Sequence, residues 1–101
     1  MRIRWTEHAR RDLLEIFAFI AEDRPGAARG LVERIRASMA STREHPLIGR
    51  VVPELDVSNI RERIVPPYRL IYQLRREEII VLTVIHDRRD HLVRILENVE
   101  E

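Results

Sequence analysis

Residues 59–86 read NIRERIVPPYRLIYQLRREEIIVLTVIH, and the spacing of the apolar residues in this stretch decides the fold. Successive side chains of a strand point to opposite faces. NIRERIV therefore places Ile60, Glu62 and Ile64 on one face and Arg61, Arg63 and Val65 on the other. YRLIYQLR sets Tyr68, Leu70, Tyr72 and Leu74 opposite Arg69, Ile71, Gln73 and Arg75. Pro66 and Pro67 turn the chain between these runs, and RREE makes a polar hairpin turn. IIVLTVIH is apolar on both faces, as a central strand covered on each side must be. Three antiparallel strands are expected.

Upstream, the period changes. MRIRW alternates apolar and charged residues and reads as a first strand. Thr6 stands where an N-cap belongs, with Glu7 at the positive end of the helix that follows. Ala9, Leu13, Ile16, Phe17 and Ile20 keep a 3.6-residue period from Glu7 to about Glu22. EDRPG stops that helix, because proline disfavours helix in the residue before it. A second helix runs from Pro25 or Gly26 to Arg43, with Ala28, Leu31, Val32, Ile35 and Met39 in its stripe. So short a link forces the two helices into an antiparallel hairpin. EHPLIGRVVPELD reads as a loop, and RRDHLVRILENV as a closing helix capped by Asp87 or Asp90, with Leu92, Ile95, Leu96 and Val99 inward. The expected architecture is α+β: an N-terminal strand and a two-helix hairpin packed on a three- to four-stranded antiparallel sheet, ending in a short helix.

The chain has 101 residues, which is one domain (1–101) with one modest core. With 45% hydrophobic and 35% charged residues it belongs to the soluble globular class. No run is long enough to span a bilayer, and the N-terminus lacks the apolar stretch of a signal peptide, so a cytoplasmic location is expected. Cysteine is absent, which removes disulfides, thiolate nucleophiles and most structural zinc schemes. All eighteen basic residues are arginine, giving planar, permanently charged forks suited to carboxylate and phosphate. Five of them (Arg61, Arg63, Arg69, Arg75, Arg76) fall between Asn59 and Arg76 against one acid, Glu62, so positive potential should gather on the C-terminal half.

Several residue groups invite chemistry. His86, Asp87, Asp90 and His91 are all metal-ligand types, but His86 ends a strand and Arg88 and Arg89 repel a cation, so no metal is expected. Metal-free RNA cleavage needs a base, an acid and cations for the phosphate; Glu54 or His86 suit the first two roles and Arg63, Arg69 and Arg89 the third. Against that stands the ordinary reading of each: a solvated loop glutamate, a hydrogen-bonded histidine at a strand end, a wet arginine face. Trp5, Tyr68 and Tyr72 could stack on bases, although the tyrosines share a face with Leu70 and Leu74 and read as core.

YRLIYQLRREEIIVLTVIHDRRD, Tyr68 to Asp90, resembles the C-terminal signature of the ParE branch of the RelE/ParE toxin superfamily. TEHARRDLLEIFAFIAED, Thr6 to Asp23, is similar to the same family's first helix, so the resemblance covers nearly the whole chain. It implies a toxin of a type II toxin–antitoxin pair, without cofactor, held inactive by a cognate antitoxin whose C-terminal segment folds over it, with a toxin–antitoxin heterotetramer as one assembly. In ParE relatives the target is DNA gyrase; in RelE and YoeB relatives it is mRNA on the ribosome. For the ribonuclease alternative, Glu54, Arg69 and His86 match the catalytic pattern, but Asp87 stands where a tyrosine would follow His86, and the chain has no lysine. The long tail is similar to ParE, which acts by binding and not as an enzyme. A degenerate member that binds only its antitoxin and a DNA-bound repressor complex is a third reading. The expected target-binding residues are Arg61, Arg63, Arg69, His86, Arg88 and Arg89. Antitoxin binding is expected at Leu13, Phe17, Ile20, Leu92, Ile95 and Leu96.

Overall fold

The structure, a computed structural model, describes residues 1–88 and 91–100. Its elements in chain order are β1 (Arg2–Trp5), α1 (Glu7–Ala21), α2 (Pro25–Glu44), β2 (Arg50–Val51), β3 (Ile60–Val65), β4 (Tyr68–Leu74), β5 (Glu78–His86) and α3 (Leu92–Glu97). Thr6 caps α1 as expected, accepting the Ala9 N–H at 3.0 Å. Pro25 opens α2, where its missing N–H costs nothing.

One sheet of five strands, in the order β1-β5-β4-β3-β2, carries the domain. β2 to β5 are antiparallel neighbours, as the alternation predicts. Two features correct the expected sheet. β1 runs parallel to β5, with Arg2 opposite Glu78 and Trp5 opposite Val81, so the sheet is mixed. The stretch expected as loop contains β2, two residues that pair with Glu62 and Arg61. At the last helix His91 is the N-cap residue and makes no side-chain cap bond, and the Asp87 carboxylate turns to His86; Asp90, the other residue expected as cap, lies outside the described residues.

The sheet has a core on each side. The helical hairpin buries Ala9, Leu31, Ile35 and Met39 against Val65, Leu70, Tyr72, Ile79, Val81 and Val84. On the other face, Val52, Ile71, Ile80, Leu82 and Ile85 enclose Leu92 of α3, with Leu55, Ile60, Ile95 and Leu96 packed around them. β5 serves both cores through a bulge. Ile71 pairs with Thr83 while Tyr72 pairs with Val81, leaving Leu82 as the extra residue. Val81 and Val84, three positions apart, consequently reach the same core.

The first helix holds that irregularity in place. The Thr6 hydroxyl donates to the Leu82 carbonyl at 3.0 Å. The Asp12 carboxylate accepts the Thr83 hydroxyl at 2.6 Å and the Val84 N–H at 3.0 Å. Groups that a bulge removes from the ladder are thereby satisfied.

Gly49 marks where the loop after α2 crosses the sheet. Its N–H donates to the Tyr72 hydroxyl at 3.0 Å, and that hydroxyl donates to the Pro46 carbonyl at 2.9 Å. A Cβ on Gly49 would lie 2.6 Å from the Glu62 carbonyl oxygen and 2.8 Å from Tyr72 Cε1. Gly49→Ala should therefore cost about 2 kcal/mol through overpacking. Gly30→Ala, on the exposed side of α2 with nothing within 4 Å of the new Cβ, should stabilise by roughly 0.8 kcal/mol. Urea unfolding of both variants measures the contrast, and equal effects would contradict this packing.

Candidate functional site

Strand pairing decides where the arginines go. Val65 faces Tyr68 across the Pro66–Pro67 turn, so Arg63 lies opposite Leu70 and Arg61 opposite Tyr72, all on the hairpin side. Arg69 pairs with Ile64 and Ile85, on the other side. The expected arginine face for a target is thus corrected: the three residues are divided between the two faces, and each is occupied internally. Arg61 donates to the carbonyls of Ser58 and Gly49, both at 3.0 Å. Arg63 donates to the Ser38 carbonyl at 3.1 Å and the Thr42 hydroxyl at 2.9 Å, tying β3 to the end of α2.

Arg69 is the centre of a charged cluster and is only 6% exposed. Its Nε donates to Glu62 Oε1 at 2.6 Å. Its two terminal nitrogens grip the Glu54 carboxylate as a fork, Nη1 to Oε2 at 2.8 Å and Nη2 to Oε1 at 2.9 Å. Glu62, 1% exposed, also accepts from Arg50. Two guanidiniums and two carboxylates balance. Sequence order explains the assembly: Arg50 is registered against Glu62 by β2, and the turn in which Leu55 and Asp56 N–H both donate to the Val52 carbonyl brings Glu54 over Arg69. Asp56 takes a left-handed backbone (φ 51°) there, which aspartate tolerates.

The electrostatics follow from this geometry. The hydrogen bonds from Arg69 hold the Glu54 carboxyl below its ordinary pKa, and the Glu54 carboxylate raises that of the Arg69 guanidinium. Burial pushes the Tyr72 phenol up. Tyr72 is core, as its alternation suggests, and Tyr68 and Trp5 pack beside the hairpin core and form no base-stacking platform.

His86 stands apart from the cluster. It pairs with Tyr68 across the strands and meets that ring edge-on, 5.7 Å between centroids. Its Nδ1 lies 3.1 Å from the Arg88 N–H and 3.0 Å from the Asp87 carboxylate. Asp12, Glu15, Ile16, Tyr68, His86 and Ile95 border a cleft of about 210 Å³ there. Glu54 and Arg69 come together as expected, but His86 is on the opposite face, so the three-residue set of the ribonuclease alternative is not assembled. Arg88 is exposed beside His86, and Arg89 lies outside the described residues.

Of the residues expected to meet an antitoxin, Leu92 is corrected to core: it is 1% exposed. Leu13 and Ile20 pack against the hairpin core, Ile95 and Leu96 against the second core, and Phe17 is half-buried. The large apolar side chains of α1 that are exposed are Leu14 and Phe19, at 70% and 76%. Both fall off the 3.6-residue stripe, which was the signal available for them. Glu62 was likewise legible as an acid alternating with Ile60 and Ile64 on an apolar face, where only a buried cation can satisfy it.

Removing one partner of a buried pair strands the other charge. Glu62→Ala should lower stability by about 3 kcal/mol, and Glu54→Gln by roughly 1 kcal/mol, since Glu54 lies nearer solvent. Because its pKa is lowered in the fold, Glu54 contributes stability above the ordinary glutamate value and loses it as pH falls through the lowered one. Glu54→Gln should flatten that acid limb of the stability curve; denaturant unfolding across acidic pH reads it, and an unchanged limb would contradict the pairing.

Comparison with known proteins bears on the same chain. Residues 3–91 match the family described as the ParE toxin of type II toxin–antitoxin systems, parDE. A protein of Sinorhizobium fredii (strain NBRC 101917 / NGR234) named "Putative toxin Y4kP" is 38% identical over 87 residues, covering 84% of this chain and 86% of its own length. A solved structure from the chromosomal ParDE TA system of P. aeruginosa superposes with a TM-score of 0.70 over 85% of this chain and 95% of that one, at 21% identity, a likeness of fold. With its mixed five-stranded sheet, helical hairpin and short closing helix, and with the family match running from β1 to the start of α3, the chain belongs to the ParE toxin family of type II toxin–antitoxin systems.

Proposed function

We propose that this toxin inhibits DNA gyrase by binding it and that a cognate antitoxin neutralises it. The observation that carries the binding mode is the separation of Arg69 from His86. A phosphate-cleaving site needs a cation with free donors and an acid or base within hydrogen-bond reach of the same atoms. Here the Arg69 fork closes on Glu54 and Glu62, and the imidazole belongs to the other face. The cations left for a target at the end of β5 include Arg88, beside His86. The antitoxin reading is supported by the exposed Leu14 and Phe19 of α1 and by the partly buried Ile95 and Leu96 of α3, apolar surface of the kind a protein partner covers. No helix among the described residues is long and apolar enough to cross a membrane.

Purified gyrase should lose supercoiling activity on addition of the chain, with cleaved DNA complex accumulating; normal supercoiling at a large molar excess would sink the proposal. Arg88→Glu should raise the concentration needed by about tenfold, equivalent to roughly 1.4 kcal/mol. Primer extension on translated mRNA should show no new ends, and ends that vanish in His86→Ala would favour ribosome-dependent cleavage instead.

A further inference from the structure

Arg34, Ser38 and Ser41 are spaced by four and then three residues on α2, so one face of the helix carries all three. Arg63 reaches that face from β3, its Nη1 donating to the Ser38 carbonyl and the Thr42 hydroxyl. Arg34 reaches the opposite way, its Nη1 donating to the Pro66 carbonyl at 3.3 Å. With Ala37 and Pro66 these residues border an open groove of about 380 Å³. No carboxylate lines it, and neither arginine forms an ion pair among the described residues. Each guanidinium makes its hydrogen bonds to described residues through Nη1 alone, which leaves Nε and Nη2 as donors. The Ser38 hydroxyl oxygen is buried and has no hydrogen-bond partner among the described residues. Buried polar groups are nearly always satisfied, so an orphan hydroxyl beside two uncompensated cations marks a place for an oxyanion.

We infer that this groove binds a backbone phosphate of duplex DNA. Guanidiniums and hydroxyls are the side-chain donors that phosphate oxygens take. A hydroxyl turns between staggered positions, which lets Ser38 donate to an oxygen placed in the groove it borders. The groove is open and no aromatic side chain lines it, so it offers nothing for a base to stack on. That disfavours a single strand, whose bases are held by stacking, and favours a duplex, which keeps its bases inside and presents phosphates outward. A contact of this kind fixes position on the helix without reading sequence. The inference goes beyond the reading of gyrase as the target and does not depend on it, since it requires only the chain and DNA.

The test titrates a short fluorescein-labelled DNA duplex of mixed sequence with the full chain at low salt and follows its anisotropy. Saturable binding is expected, weakening as salt rises. Arg34→Glu and Ser41→Glu, both at α2 positions bordering the groove, should each weaken it about tenfold, and Arg34→Gln should lower the slope of log affinity against log salt by about one. Arg11→Glu, at an exposed position of α1 outside the groove, alters the net charge as much as Arg34→Glu does and should change affinity less than about twofold. Ser38→Ala should weaken binding without lowering the urea midpoint, because the hydroxyl it removes has no partner in the free chain. Equal losses in Arg11→Glu and Arg34→Glu would assign the binding to net charge and overturn the inference. So would a single strand of the same sequence bound as tightly as the duplex, affinity unchanged in both α2 variants, or no saturable binding at low salt. No gyrase is present, so failure here leaves the supercoiling assay to decide the gyrase reading separately.

Discussion

The contact between the Arg69 guanidinium and the Glu62 carboxylate is the constraint around which the second face of the sheet is arranged. Taking either ion out of water costs several kcal/mol, and the attraction between them offsets this only when the remaining donors and acceptors are also used. That requirement explains why two further residues are drawn in. Arg50 takes the second oxygen of Glu62, which demands β2, and Glu54 fills the open fork of Arg69, which demands the tight turn after Val52. A loop rich in proline and glycine is therefore held to the sheet by charge as much as by its apolar contacts, Val52 and Leu55.

A second constraint lies in β5. A strand buried on both faces must feed two cores, and regular alternation would send Val84 to the wrong one after Val81. The bulge at Leu82 corrects the phase, and the polar groups it exposes are met by Thr6 and Asp12 from the start of α1. Thr6 thus does two things with one hydroxyl: it accepts from Ala9 to begin the helix and donates to Leu82 to fix the bulge. The position at which His86 leaves the sheet, beside Tyr68 and on the face away from Arg69, follows from this shift.

Much of this was written locally. The period-two runs of β3 and β4, the doubly apolar β5, the helical stripes of α1 and α2 and the Thr6 cap all rest on neighbours within a few residues, where spacing alone carries the signal. The parallel pairing of β1 was not, because nothing in RIRW states which strand it will join 76 residues later. The division of the arginines between two faces was within reach. A two-residue turn at Pro66–Pro67 puts Val65 opposite Tyr68, and counting back by two places Arg63 and Arg61 beside Leu70 and Tyr72. The bulge and the closure of Glu54 on Arg69 depend on contacts between distant segments, and periodicity does not encode them.

What the arginines are spent on bears on how such a toxin works. In a chain without lysine, Arg61, Arg63 and Arg69 are committed to carbonyls, a hydroxyl and carboxylates that hold strands to loops and to α2. A guanidinium used this way is a structural crosslink with many directed bonds. Arg88, at the end of β5, is exposed at the periphery instead. To bring its donors to any other group, Arg69 would have to release these carboxylates, at the cost of the face they hold together.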